Sequence, residues 1–236
     1  MKKSEEYIFS DILDIKEIQK LQDLFSDAND VASIITHPDG TPITKPSNFS
    51  NLCGVIRQTE IGRCNCFNSD ALIGKHNKKG PTVQKCLNGV LWDAGVSITV
   101  GDAHIANWLI GQAKTEVIDK NTLLKYAENI GADKKEFLAA YDEIPEMSKS
   151  KFNKIAKMLF VFVNEISEKA YTNLQLINES EKIKKAERLL QEKNDLIEVQ
   201  NEELLTANAE LLLAKETAEE SERLKSAFLA NMSHEI

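Results

Sequence analysis

The stretch Val90-Leu-Trp-Asp-Ala-Gly-Val-Ser-Ile-Thr-Val-Gly-Asp-Ala-His-Ile-Ala-Asn-Trp-Leu-Ile-Gly-Gln112 decides the fold. It contains two apolar runs, 90–100 and 104–112, and the short turn Gly101-Asp102 between them is typical of an antiparallel hairpin. A β-branched run at 31–36 precedes the turn His37-Pro-Asp-Gly40 and an extended piece at 42–46. Helical spacing of apolar residues occurs at 10–28, 51–58, 68–75, 122–141 and 148–170. The sequence therefore predicts an α+β fold, in which helices flank an antiparallel sheet.

A change of composition near Ala170 predicts a second part of the chain. No Pro or Gly occurs after Pro145, and apolar residues then recur at every seventh position, at Leu176, Ile183, Leu190, Ile197, Leu204 and Leu211. This pattern predicts a long C-terminal coiled-coil helix that pairs with a second copy of the chain. The companion row is mostly polar or Ala, as at Glu179, Lys193 and Gln200, which predicts a weak coil. We expect a globular domain at 8–168 and a dimeric coiled coil at 169–225.

Charge and hydropathy exclude two classes of partner. The net charge of −8 and the pI near 5.2 argue against a nucleic-acid-binding surface, which is normally basic. The longest strongly apolar run, 158–163, is far shorter than the ~20 residues of a membrane span. The first six residues turn acidic at once, unlike a signal peptide. We therefore expect a cytoplasmic protein with no membrane span and no nucleic-acid partner.

The cysteines Cys53, Cys64, Cys66 and Cys86 all lie within one 34-residue stretch. Such clustering suggests a metal site, either zinc or an iron–sulfur cluster, but the spacings do not match the usual Cys-x2-4-Cys pairs. On a regular helix Cys64 and Cys66 would point in nearly opposite directions. Three interpretations stay open: thiols in a pocket wall or core, a metal site, and a redox-active pair.

Several short motifs resemble the PocR sensory domain, a variant of the PAS fold. They are His37-Pro-Asp-Gly40, Phe49-x-x-x-Cys53, Gly62-x-x-x-Cys66-x-x-Ser69-Asp70, Cys86-x-Asn88-Gly89, Asp93-Ala94, His104-Ile-Ala-Asn107 and Gly111-Gln112. The resemblance covers residues 8–165 and implies a PAS-like sheet that binds a small hydrocarbon derivative such as a diol. Two departures concern the pocket: Ser97 replaces the proline usual in the family, and the segment before Asp93 is one residue longer.

A small-molecule pocket needs apolar walls and a few convergent polar groups. The motif positions supply such a mixture, and the predicted ligand-binding residues are Asn88, Trp92, Asp93, His104, Asn107, Trp108 and Gln112. Asp93 stands out because a carboxylate within apolar strand sequence must find a partner or a ligand when it is buried.

The last nine residues, Phe228-Leu-Ala-Asn-Met-Ser-His-Glu-Ile236, resemble the H-box of sensor histidine kinases. The resemblance implies that His234 is the phosphoacceptor and that Glu235 accepts or orients its proton. Residues 226–236 would then begin the dimerisation and phosphoacceptor domain. The sequence contains no Walker-type or kinase Gly-rich motif, so ATP would bind only through a domain further downstream. We expect the chain alone to be inactive.

These observations together predict the sensing region of a two-component histidine kinase. A small ligand in the domain at 8–168 would bias the coil, which would control autophosphorylation of His234. The expected partners are the ligand, a second copy of the chain, and a response regulator or receiver domain. The alternative is a metal- or redox-responsive module that uses the cysteine cluster and acts through dimerisation without kinase activity.

Overall fold

The structure is a computed structural model that describes residues 9–232. The chain divides into two compact units between Leu176 and Ile177. The first unit contains an antiparallel sheet of four strands in the order β1-β4-β3-β2. The strands are β1 Ala32–Thr36, β2 Thr82–Lys85, β3 Trp92–Val100 and β4 Ala103–Ala113. The helices are α1 Phe9–Ile12, α2 Ile15–Asn29, α3 Asn51–Gln58, α4 Glu60–Ile73, α5 Lys120–Ile130, α6 Lys134–Asp142 and α7 Lys149–Met232. The α+β prediction, with a long C-terminal helix, is confirmed.

The β3–β4 hairpin is the centre of the sheet, as the sequence predicted. Val96 lies opposite Trp108, and the turn at Gly101 has a φ of 60°. Alternate residues belong to different apolar clusters: Ile35 and Trp108 pack with the start of α7, whereas Ile34 packs with Ile73 of α4. Because helices cover both faces of the sheet, its strands read as continuous apolar runs instead of alternating ones.

Several elements differ from the prediction. The helix expected at 10–28 is two helices, α1 and α2, and the one expected at 68–75 is the longer helix α4. The helix expected at 122–141 is two helices, because Gly131 adopts a left-handed conformation at φ 75° and Asp133 caps the second helix through the N–H of Glu136. The segment 75–85, for which four lysines and the pair Gly80-Pro81 predict a solvated loop, contains the edge strand β2. β2 is an edge strand that pairs with β3 on one side. This position explains its mixed composition.

The extended piece at 42–46 does not form a regular strand and is joined to β1 through isolated bridges at Thr36–Pro42 and Ser33–Ser47. The fully buried Gln22 of α2 holds this piece in place. Its Nε2 donates to the Ser33 carbonyl at 3.2 Å, the Lys45 carbonyl at 2.8 Å and Ser47 Oγ at 2.7 Å. One amide side chain therefore satisfies backbone groups that a regular strand would have paired.

The long helix α7 begins inside the core of the first unit, where Phe152, Ala156 and Leu159 are completely buried. Further along the helix, the heptad row from Leu176 to Leu211 exposes between 52% and 68% of each side chain. Dimerisation through this row stays a prediction. None of the described helices is long and apolar enough to cross a bilayer.

Candidate functional site

A small cavity lies at one end of the sheet, where β1, β4 and β3 meet α3 and α4. Its free volume is about 40 Å³, which corresponds to roughly three water molecules. The lining residues are Ala32, Ser33, Ile34, Phe49, Cys53, Arg57, Cys66, Ser69, Asp70, Cys86, Asn88, Asp93, Leu109, Ile110, Gly111 and Gln112. This mixture of apolar and polar groups is typical of a ligand site, and the volume limits the ligand to a few heavy atoms.

Asp93 provides the acidic group of the cavity. The register between β3 and β4 shifts from Trp92 to Ala94, and this bulge sets the direction of the intervening Asp93 side chain. Asp93 Oδ1 accepts the backbone N–H of Gln112 at 2.9 Å. In the described part of the chain no donor contacts Oδ2. Burial raises the pKa of the Asp93 carboxyl to about 6, against the opposing effects of the Gln112 N–H and the Arg57 charge.

Arg57 and Asp70 form an ion pair in the same wall, with Nη2 and Oδ2 3.0 Å apart. The guanidinium also lies over Phe49, at 5.0 Å from the ring centroid, and near Phe67, at 5.8 Å. The Nε–H of Arg57 is buried and has no hydrogen-bond partner among the described residues. Burial raises the pKa of the Asp70 carboxyl to about 7, although the Arg57 charge opposes the shift. The cavity wall therefore contains one hydrogen-bond donor without a described partner, the Arg57 Nε–H. It lies next to the Asp70 carboxylate, whose charge the guanidinium balances.

Three thiols complete the wall: Cys53 on α3, Cys66 on α4, and Cys86 after β2. Burial raises the pKa of each thiol, well above its usual value for Cys53 and to about 12 for Cys86. All three are therefore neutral near pH 7 and act as small, polarisable apolar groups. Cys64 lies on the exposed side of the regular helix α4. Within residues 9–232 no group of three or more His, Cys, Asp or Glu side chains has a metal-binding arrangement.

Two amides fix the neighbouring elements. Gln112 has a left-handed backbone at φ 63°, and its Oε1 accepts the N–H of Ser50, the residue that caps α3, at 2.6 Å. Asn88 donates to Cys66 Sγ at 3.3 Å and accepts the hydroxyl hydrogen of Tyr126. These contacts tie the loops around the cavity to α3, α4 and α5.

Comparison with protein families decides the classification, since the family model described as the sensory domain found in PocR matches residues 11–171. The chain belongs to the PocR sensory-domain family. Searches of curated proteins and of solved structures gave no significant match. The matched range contains the sheet, the cavity and the first turns of α7 and ends before the heptad row.

The PocR domain brings together three of the residues predicted to bind ligand, Asn88, Asp93 and Gln112. Trp108 is instead fully buried in the core on the other face of the sheet, where its Nε1 donates to Ser33 Oγ at 2.9 Å. Trp92 donates to Glu116 at 3.1 Å, and the Lys149 Nζ lies 3.8 Å from its ring centroid. Both indoles lie outside the cavity wall. The bulge after Trp92 turns Asp93 inward and not its neighbour, and Trp108 belongs to the core cluster on the other face of the sheet.

His104 and Asn107 lie elsewhere on β4 of the PocR domain. The His104 Nε2 is 2.6 Å from Asn107 Oδ1, and Asn107 is fully buried and donates to the His37 carbonyl at 2.9 Å. Burial lowers the pKa of His104. This pair joins β4 to the turn after β1 and does not line the cavity. His234 and Glu235 lie outside the described residues.

Sequence reasoning missed Arg57 and gave Asp70 no role, although both lie on the cavity wall of the PocR domain. Helical spacing contained the signal. Arg57 follows Cys53 by four residues and Asp70 follows Cys66 by four, so each shares a helix face with a cysteine of the family motif. A buried arginine and a buried aspartate on two adjacent helices predict an ion pair.

Proposed function

We propose that this chain senses a small polar molecule in the cavity beside Asp93 and transmits the signal along α7 to His234, the phosphoacceptor of a histidine kinase. The observation that carries the sensing role is the half-buried Asp93 carboxylate on the cavity wall, one oxygen of which has no donor among the described residues. A half-buried carboxylate in this state keeps only part of the hydration that it has in water. A ligand that carries a hydrogen-bond donor restores the missing hydrogen bond to the Asp93 carboxylate. Diols, which the PocR resemblance implies, supply such a donor.

The strand β3 supports a route for the signal inside the first unit. It carries Asp93 near its start and Thr99 near its end, and the Thr99 N–H donates to Ser167 Oγ of α7 at 3.1 Å. A ligand that moves Asp93 therefore also moves β3, the strand that contacts the signalling helix α7. We expect the response to be a shift between two arrangements of that helix, biased by the ligand's preference for one of them.

Ligand binding in the cavity can be tested by thermal unfolding with a panel of neutral diols and amino alcohols of four or five heavy atoms. We expect at least one to raise the midpoint, because saturation at 100 times Kd adds about 2.7 kcal/mol to the unfolding free energy. Cys53→Leu is expected to abolish the rise by filling the cavity. The matched variant Cys64→Leu places the same side chain on the exposed face of α4 and should keep the rise. Equal rises in all three proteins, or none in the wild type, would falsify the assignment.

The kinase role rests on the nine residues from Phe228 to Ile236 and has its own test. The chain is joined to the remainder of a histidine kinase phosphoacceptor domain and its ATP-binding domain, and radiolabelled ATP is added. We expect a phosphate that is labile in acid and stable in base, as a phosphoramidate on an imidazole nitrogen requires. His234→Ala should remove it, while His104→Ala serves as the control that keeps it. Label that persists in His234→Ala defeats this part of the proposal.

A further inference from the structure

The charges around the cavity do not balance. Arg57 is the one cation among the described residues that line it, and its guanidinium lies 3.0 Å from Asp70. Asp93 is the second acid, and no described cation lies within ion-pair distance of it. The three thiols carry no charge near pH 7. The wall therefore carries a net negative charge at pH 7.5, located mainly at the carboxylate with the free oxygen.

A buried charge is costly unless an opposite charge and hydrogen bonds compensate it. A neutral hydroxyl can donate one hydrogen bond to Asp93 Oδ2, but it leaves the negative charge in place. An ammonium group supplies the hydrogen bond and the opposite charge together, whereas a hydroxyl supplies the hydrogen bond alone. An anionic ligand would add to the imbalance. The electrostatics therefore favour a cation with N–H donors.

The buried Nε–H of Arg57 is the second free polar group of the wall. It is a donor, so its complement in a ligand is an oxygen that accepts. Arg57 and Asp93 both line the cavity, whose free volume of about 40 Å³ holds only a few heavy atoms. The remaining walls are thiols and apolar side chains such as Ile34 and Leu109, which suit a short methylene chain.

We propose that the ligand is a small amino alcohol, with its ammonium group on Asp93 and its hydroxyl oxygen on Arg57. This proposal rests on the sensing function above and specifies the chemical class of its ligand. It distinguishes this chain from a sensor of neutral diols, since two carboxyl groups and one guanidinium line the cavity. The shortest member of the class, 2-aminoethanol, has four heavy atoms and matches ethane-1,2-diol except for the charged group.

Isothermal titration of the full chain with these two matched compounds tests the proposal. At pH 7.5 we expect 2-aminoethanol to bind at least tenfold more tightly than ethane-1,2-diol. Asp93→Asn keeps the shape and the contact with the Gln112 N–H but removes the charge, so the preference should disappear. Equal or tighter binding of the diol overturns the amino-alcohol class and leaves small-ligand sensing intact. Absence of any binding, with no thermal response to the wider panel, overturns the sensing function itself.

A measurement on the unmodified protein keeps the test valid if Asp93→Asn fails to fold. Protonation of Asp93 removes the charge that selects the ammonium, and its pKa is about 6. The preference for 2-aminoethanol should therefore decline between pH 7.5 and pH 5, while the affinity for the diol should not. The other titratable groups that line the cavity are Arg57, Asp70, Cys53, Cys66 and Cys86. The thiols keep their protons over this range. Asp70, whose pKa is about 7, also gains a proton, and its charge acts on Asp93. Asp70→Asn is therefore titrated in parallel and should keep the decline centred near pH 6. A preference that is constant with pH contradicts the proposal.

Discussion

Gly111→Ala is expected to lower the free energy of unfolding of the sensory domain by about 3 kcal/mol. A Cβ at this position would lie 1.9 Å from Asp93 Oδ1 and 2.6 Å from its Cγ. The carboxylate would have to leave the Gln112 N–H, and the central hairpin would have to separate at a point where β4 also pairs with Ala32 of β1. Urea unfolding measured at a fixed pH gives the change directly.

Gly54→Ala is the matched control. Gly54 lies in the interior of α3, and a Cβ there would contact nothing within 4 Å. The same substitution should therefore stabilise the protein by about 0.5–1 kcal/mol, because alanine loses less backbone entropy in a helix. The clash itself is isolated by adding Asp93→Ser to Gly111→Ala, which should recover part of the loss through a coupling of about 1 kcal/mol or more. A Gly111→Ala protein as stable as the wild type would show that Asp93 does not approach β4 as described.

The stability of the domain is expected to fall as the pH rises from 4.5 to 7.5. The pKa values of Asp93 and Asp70 are about 6 and about 7 in the folded protein, above the usual value of 3.8. The folded chain therefore binds more protons than the unfolded chain in this interval, so the free energy of unfolding decreases with pH. Their contribution is fully present below pH 4 and is lost as the pH rises through about 6 and about 7. The combined loss over this interval is roughly 5 kcal/mol, since each pKa unit corresponds to about 1.36 kcal/mol.

Urea unfolding of matched variants separates these two groups from the rest of the chain. Asp93→Asn should lose the part of the slope centred near pH 6, and Asp70→Asn the part centred near pH 7. Asp39→Asn is the control, because Thr41 holds the pKa of this exposed carboxyl below its usual value. It should leave the slope between pH 4.5 and 7.5 unchanged. A wild-type stability that rises over this range, relative to the Asp93→Asn variant, would contradict the burial of an uncompensated carboxylate.

The hairpin at 90–113 and the strand at 32–36 could be predicted from the sequence, because short-range chemistry determines them. The starts of α2, α4 and α6 were missed, although a helix-capping residue precedes each of them. Asp14, Asp119 and Asp133 each cap a helix through the N–H groups two or three residues ahead. The break at Gly131 was missed because the flanking apolar spacing continues across it. The edge strand β2 was missed because its sequence is polar, and its partner β3 determines its conformation.

The site was predicted only in part. Asp93, Asn88 and Gln112 were expected to bind ligand and line the cavity, whereas the two indoles and His104 lie elsewhere. The difference at Trp92 follows from a single bulge, which a sequence pattern does not reveal. Trp108 lies in the core because β4 has period two and Leu109 is the neighbour that faces the cavity.

The sequence by itself determined the sheet of apolar strands, the long uninterrupted helix, and the presence of cysteines, an acidic group and amides in one sensory domain. Periodicity and capping act over a few residues, so they can be read along the chain. Only the tertiary structure decided that Asp93 lies in a cavity with three neutral thiols, and that Arg57 neutralises Asp70 instead. Charge balance depends on distances between α3, α4 and β3, which packing of the helices on the sheet determines and local sequence does not.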